Sequence, residues 1–224
     1  MCAAAELERR YERIFGYLHD DLSRKLPSLG LALSVLLPSG TDRLHARTVL
    51  APAAPLRRWR LIDVKDGEAS TPRLAKPMGL DERVLAYVLG DTREDARIAE
   101  ALSPPGAPAS ILPTTPRRTA DRARLRQLVN GWDGGSQAGS RPLLYLFGPP
   151  SCGAEDVVRE MAAELGMAVL SANLQSLTHG AHDVSEALLL VFREALLRQA
   201  ILVLRDGESM LDGDHGGTGQ RTLE

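Results

Sequence analysis

Aromatic residues are scarce in this chain: Phe, Trp and Tyr together supply 4% of its 224 residues. Any core must therefore rest on Leu, Val and Ala. Net charge is nearly absent as well, at −2, which excludes a global electrostatic pull toward nucleic acid or an anionic membrane. The halves differ little, with 14 Lys and Arg against 11 Asp and Glu in residues 1–89 and 13 against 18 in residues 90–224. The two cysteines, Cys2 and Cys152, make neither a disulfide framework nor a thiolate metal site. No stretch approaches the ~18 apolar residues of a membrane span. Glu6–Arg13 is charged where a signal peptide needs an apolar segment. A cytoplasmic location is the expectation.

What is present is an ordinary globular composition, 44% hydrophobic and 25% charged. The length allows one large or two small domains. Leu7, Tyr11, Ile14, Phe15, Leu18, Leu22 and Leu26 recur at three-to-four spacing and predict an amphipathic helix over residues 5–26. Pro27 ends it, and Ser28 caps a second helix reaching Leu37. A third helix spans Arg43–Leu50. Trp59–Lys65 reads as a strand, Asp66-Gly67 as a hairpin turn and Thr71–Lys76 as the returning strand. Asp81–Leu89 closes this part with a short helix ending at Gly90.

Helices followed by a two-stranded hairpin suggest a winged-helix-like domain over residues 1–90. Such units often bind DNA through a recognition helix and a hairpin wing. Arg43, His45 and Arg47 lend the third helix some charge, and Arg57, Arg58 and Arg60 cluster beside Trp59. Asp42 and the small basic excess weigh against a phosphate-binding face. A packing or protein-interaction role is the first expectation, and DNA binding the alternative.

Residues 91–117, which include Ser103-Pro-Pro-Gly-Ala-Pro108, read as a Pro- and Ala-rich linker. In residues 118–224 a helix over Thr119–Asn130, with Leu125, Leu128 and Val129 on one side, precedes a flexible break at Gly131–Ser140. The order is then strand Leu143–Phe147, helix Ala154–Leu165, strand Met167–Ser171, helix Ser185–Arg198 and strand Ile201–Leu204. In the fourth of these, Leu188, Val191, Phe192 and Leu196 are expected to face inward. This alternation predicts an α/β domain with a parallel sheet covered on both faces. The helical pattern already running at the start, and the Gly-rich polar tail over Asp212–Glu224, suggest a piece of a longer protein.

One turn in this half carries chemistry. A phosphate-cradling loop follows a strand, opens a helix and reads G-x-x-x-x-G-K-[ST]. Gly148 and Gly153 keep that spacing, but Ala154 stands where the lysine would be and Glu155 where the Mg²⁺-binding hydroxyl would be. Backbone N–H groups could still converge on an anion. The local charge nevertheless moves by about two units against a phosphate, and each close like-charge contact costs on the order of 1–4 kcal/mol. Downstream, Ile201-Leu-Val-Leu-Arg-Asp206 sets Asp206 after a hydrophobic strand, where an acidic residue could help hold Mg²⁺. Gly207 occupies the next position, where a catalytic acid would be needed, and Glu208 lies one further on.

Gly148-Pro149-Pro150-Ser151-Cys152-Gly153 resembles the loop of AAA+ ATPases. The first half is similar to the winged-helix variant domain that precedes the ATPase module in proteins encoded with bacterial contractile injection systems. That likeness is carried by Arg10–Asp21, Leu31–Gly40, Leu56–Leu61 and Gly79–Gly90. The resemblance implies an incomplete AAA+-like P-loop domain behind a mostly helical winged-helix-like domain. It also implies ATP and Mg²⁺ as cofactors, and a ring of subunits or protein partners. By resemblance the cofactor-binding positions are Gly148, Pro149, Pro150, Ser151, Cys152, Gly153, Ala154, Glu155 and Asp206. Of these, Gly148, Gly153 and Asp206 match the family residue for residue, and no catalytic or metal-ligating residue is assigned. The expected function is an assembly or partner-binding role with a degenerate nucleotide site. A DNA-binding regulator and a working ATPase with an unusual loop are the alternatives.

Overall fold

The computed structural model describes residues 1–37, 40–65, 71–103, 116–130, 143–148, 153–180 and 183–210. The chain divides into two units, Met1–Asp95 and Ala96–Glu224.

In the first unit, helices α1 (Cys2–Leu7) and α2 (Arg10–Leu18) replace the single helix expected over residues 5–26. Glu8, extended at φ −143° and ψ 125°, separates α1 from α2, and a second backbone feature ends α2 well before residue 26. Asp20 adopts a left-handed φ of 54°, while Asp20 N–H bonds Tyr17 O at 3.1 Å and Asp21 N–H bonds Gly16 O at 2.9 Å. This pairing satisfies the last carbonyls of α2 and turns the chain out of the helix. Gly16 permits the turn, because a Cβ there would lie 3.0 Å from Leu22 Cα. Phe15 is buried, whereas Leu7, Leu18 and Leu22 remain exposed. Apolar periodicity alone did not decide where the helix stops.

Helix α3 (Leu29–Leu36) follows the expected cap, with Leu31 N–H donating to Ser28 Oγ at 3.2 Å. Helix α4 spans Gly40–Val49, and α5 (Pro55–Arg58) ends immediately before the strand expected from Trp59. At the end of α5, Arg60 has φ 51° and Leu61 N–H bonds Leu56 O at 2.9 Å, so extended structure begins only at β1 (Ile62–Val64). The returning strand is β2 (Met78–Leu80), not Thr71–Lys76, where Arg73–Ala75 forms a 3₁₀ turn. Ile62 pairs with Leu80, Asp63 with Gly79 and Val64 with Met78, antiparallel.

Non-local bonds select that register. Met78 N–H bonds Pro27 O at 2.8 Å, and Leu29 N–H bonds Lys76 O at 3.3 Å. The hairpin is thereby tied to the entrance of α3, and its connection is longer than the tight Asp66-Gly67 turn, which lies outside the described residues. Leu29, Ala32 and Met78 form the small core beneath, with Cys2, Leu50 and Val64 against it. Helix α6 (Glu82–Val88) is capped by Asp81, whose carboxylate accepts from Arg83 N–H at 3.0 Å.

The second unit contains α7 (Pro116–Asn130), α8 (Ala154–Glu164), β3 (Val169–Asn173), α9 (Leu174–Gly180), α10 (Val184–Leu197), β4 (Ile201–Arg205) and a 3₁₀ turn at Gly207–Met210. Strands β3 and β4 pair in parallel, from Val169 with Ile201 to Asn173 with Arg205. Because side chains alternate along a strand, the two faces can be sorted by parity. Leu170, Ala172, Leu202 and Leu204 pack with Leu188, Val191 and Ala195 of α10. Ile201, on the other face, packs with Val157 and Met161 of α8 and Leu125 of α7. The small sheet is thus covered on both sides, as the alternating pattern implied. Part of the presumed linker also belongs here. Ile98, Ala101 and Leu102 are buried in the same core as α10, and Leu102 bridges Ala172 antiparallel.

Three expectations fail in this unit. Leu143–Phe147 is in no ladder among the described residues, and all five side chains are exposed. β-propensity describes a surface that fits a sheet, and a strand still needs a neighbour to bond. The second strand starts two residues later than Met167. Gly166 turns with φ 65° and Met167 N–H caps Ala162 O at 2.9 Å, which keeps the chain out of the ladder until Val169. Phe192 lies half outside, while Arg193 and Glu194 are fully buried. Leu188 and Val191 do point inward.

Candidate functional site

Parity also builds the site. Ser171, Asn173 and Arg205 are odd-numbered residues of β3 and β4, on the face that receives α8. They stand toward the carboxyl ends of parallel strands, where α/β sheets place their ligands. Gly153 reaches the start of α8 with φ 74°, a left-handed backbone that favours glycine. Ala154 and Glu155 are then the first two residues of the helix. Gly148 ends the exposed run, and Pro149–Cys152 lie outside the described residues.

Glu155 is engaged within the protein. Its carboxylate accepts from Ser171 Oγ at 2.7 Å and from Arg159 Nη2 at 2.7 Å, one helical turn on. Arg205 Nη1 lies 3.9 Å from its second oxygen, and Arg205 also donates to Ser103 Oγ. Ser103 N–H in turn bonds Ser171 O at 2.8 Å. One carboxylate therefore ties α8 to both strands. Partial burial acts to raise its pKa, but the hydrogen bonds from Ser171 and Arg159 and the charges of Arg159 and Arg205 outweigh that. Glu155 is held below its ordinary value of 4.5.

A carboxyl with a lowered folded-state pKa stabilises fully above its unfolded value and loses that contribution as pH falls through the lower folded one. Glu155→Gln should therefore reduce stability at neutral pH by on the order of 1 kcal/mol, as for a partly exposed pair. The difference from the native chain should shrink as pH falls below the ordinary value of 4.5 and vanish once the folded-state carboxyl is protonated. Thermal melts of both proteins across acid pH check this, and a difference that grows toward acid would refute it.

Asp206 follows β4 directly, as expected, with φ 58° and its Oδ2 accepting from Asn173 Nδ2 at 2.6 Å. Gly207 and Glu208 enter the 3₁₀ turn after it. Among the described residues no three His, Cys, Asp or Glu side chains gather as a metal-binding group. Arg159, Ser171, Asn173, Arg205 and Ser103 were not singled out from sequence. The Glu155–Arg159 spacing of four was a readable signal, whereas the strand residues became visible only once register was known. Behind them, α7 is clamped to α8: Arg126 Nε donates to Glu164 Oε2 at 3.0 Å, and Arg122 Nη1 lies 3.5 Å from Glu160 Oε2.

In the first unit, Arg43 of α4 is directed at its own neighbours. Its Nε donates to Leu37 O at 2.9 Å, satisfying a carbonyl at the end of α3. This makes one of the cations expected on a recognition helix a capping group.

With this geometry in place, the comparison with known families is informative for one half. Residues 1–102 match the family model for the winged helix domain, variant. The N-terminal domain is thus a winged-helix domain of the variant type, with β1 and β2 as its hairpin. No curated protein and no solved structure matches the chain. Among the described residues, no helix is long and apolar enough to cross a membrane.

Proposed function

We propose that this chain is a non-catalytic assembly or partner-binding protein, in which a winged-helix variant domain is joined to an AAA+-like unit with a degenerate nucleotide site. The observation that carries the reading is the engagement of Glu155 by Arg159, Ser171 and Arg205. A triphosphate with Mg²⁺ does not fit the residues present. The helix starts with Ala154 where a cation is needed, and an ionised carboxylate follows it. A phosphate brought there meets like charge, and moving Glu155 aside breaks the contacts that join α8 to β3 and β4. Support for the AAA+-like layout comes from the Gly148–Gly153 spacing, the helix α8, the parallel pair β3 and β4, and Asp206 beyond the strand end.

Titration with a fluorescent ATP analogue tests the proposal. The native chain should show no saturable Mg²⁺-dependent binding, and Ala154→Lys combined with Glu155→Thr should raise affinity by at least about tenfold, a change of ~1.4 kcal/mol. Micromolar Mg²⁺-dependent affinity in the native chain would overturn the reading. The DNA-binding alternative has less support, since Arg43 serves the end of α3. It would return on duplex binding that weakens steeply with salt.

A further inference from the structure

Two residues of β3 join the candidate site to a segment outside the ladder with β4. Ser171 donates its hydroxyl to Glu155 at 2.7 Å, and its carbonyl accepts from Ser103 N–H at 2.8 Å. Asn173 donates from Nδ2 to Asp206 at 2.6 Å, and its backbone N–H bonds Ala101 O at 2.8 Å. The segment so held runs antiparallel along the edge of β3 that β4 leaves open, bridged at Leu102 and Ala172. Ile98, Ala101 and Leu102 are buried there with Leu170 and Leu177. Arg205 adds a side-chain tie. It donates from Nη2 to Ser103 Oγ, while its Nη1 lies 3.9 Å from Glu155. Glu155, Ser171, Ser103 and Arg205 thus close a ring that spans α8, both strands and the segment.

We propose that Glu155 and Asp206 work as a latch on the protein's own chain, holding residues 101–103 on the edge of β3. Glu155 makes no hydrogen bond to the segment and acts as a positioning residue. Its ionised carboxylate fixes the Ser171 hydroxyl and draws in the Arg205 guanidinium, and a charged acceptor strengthens each contact of such a chain. Without that charge, Arg205 keeps only the neutral Ser103 Oγ against the pull of water. Asp206 does the same service for Asn173. Two backbone bonds alone are a weak hold on an edge segment, which opens locally unless side chains add to them. The latch grips the chain where the winged-helix match ends, at residue 102. It gives the degenerate site a task within the assembly reading, and it rests on that reading in taking Glu155 to be unchallenged by nucleotide.

Amide hydrogen exchange of the intact chain, followed by NMR without nucleotide, tests the latch. The N–H groups of Ser103 and Asn173 should exchange together and faster than that of Val191 in α10, because the segment opens without the core. Glu155→Gln should speed both by about fivefold. Ser103→Ala, which keeps the backbone N–H, should speed both as well. Since the two changes break one ring, the double variant should be at most about twofold faster than the faster single one. Rates unchanged by Glu155→Gln would overturn the proposal. So would effects that multiply in the double variant, or exchange of Ser103 and Asn173 only at the rate of Val191. If Glu155→Gln does not fold, Ser103→Ala decides alone, and an unchanged Asn173 rate would sink the latch. Each of these results leaves the ATP-analogue titration standing, so the two readings fail separately.

Discussion

Val191→Asp is expected to unfold the α/β unit. Val191 is 0% exposed, at the centre of the core where α10 meets Leu170, Ala172, Leu202 and Leu204. An unpaired carboxylate there must either remain charged in an apolar site or take up a proton at unfavourable pH, and either way the cost exceeds about 4 kcal/mol. A domain of this size is stable by only ~5–15 kcal/mol in total. Val191→Ala, which removes volume without adding charge, should cost about 2 kcal/mol. Calorimetry of the intact chain should therefore show the transition of this unit shifted by the alanine and abolished by the aspartate. A native-like melt for Val191→Asp would mean that α10 does not pack as described.

The second large effect belongs to the winged-helix domain. Leu29, 3% exposed, packs with Ala32 and Met78 at the point where the hairpin is bonded to the entrance of α3. Leu29→Ala should destabilise by about 2–5 kcal/mol, the spread depending on how far the cavity collapses. Leu36→Ala on the same helix removes an exposed side chain and should stay within about 0.5 kcal/mol. Chemical denaturation of both variants makes the comparison. Equal effects would show that the buried face of α3 is not where the structure puts it.

These cores were partly legible in advance. The cap at Ser28, the helix after Gly153, the short helix over Asp81–Leu89 and the strand–helix–strand order all rest on local rules. A side-chain oxygen one residue before a helix, or a glycine at a left-handed position, acts within a few residues of itself. Boundaries set by non-local partners were less legible. The returning strand lies at Met78–Leu80 because Met78 N–H bonds Pro27 O and Lys76 O, just before it, accepts from Leu29 N–H. The early end of α2 was local but not marked by apolar spacing, since it rests on Asp20 and Asp21 N–H groups bonding Tyr17 O and Gly16 O. Leu143–Phe147 carries every local mark of a strand, but no described neighbour pairs with it.

The candidate site divides in the same way. Residue identities alone showed that Ala154 and Glu155 stand where a phosphate loop needs a lysine and a hydroxyl, because charge and hydrogen-bonding capacity belong to the side chain itself. Residue spacing was enough to set Asp206 at a strand end. What the carboxylate of Glu155 does was decided by the tertiary structure. Strand register brought Ser171 and Arg205 onto the face of α8, and that pairing is sealed by a parallel ladder between segments some thirty residues apart. Side-chain chemistry is a property of the chain, whereas the partner of each charge is a property of packing.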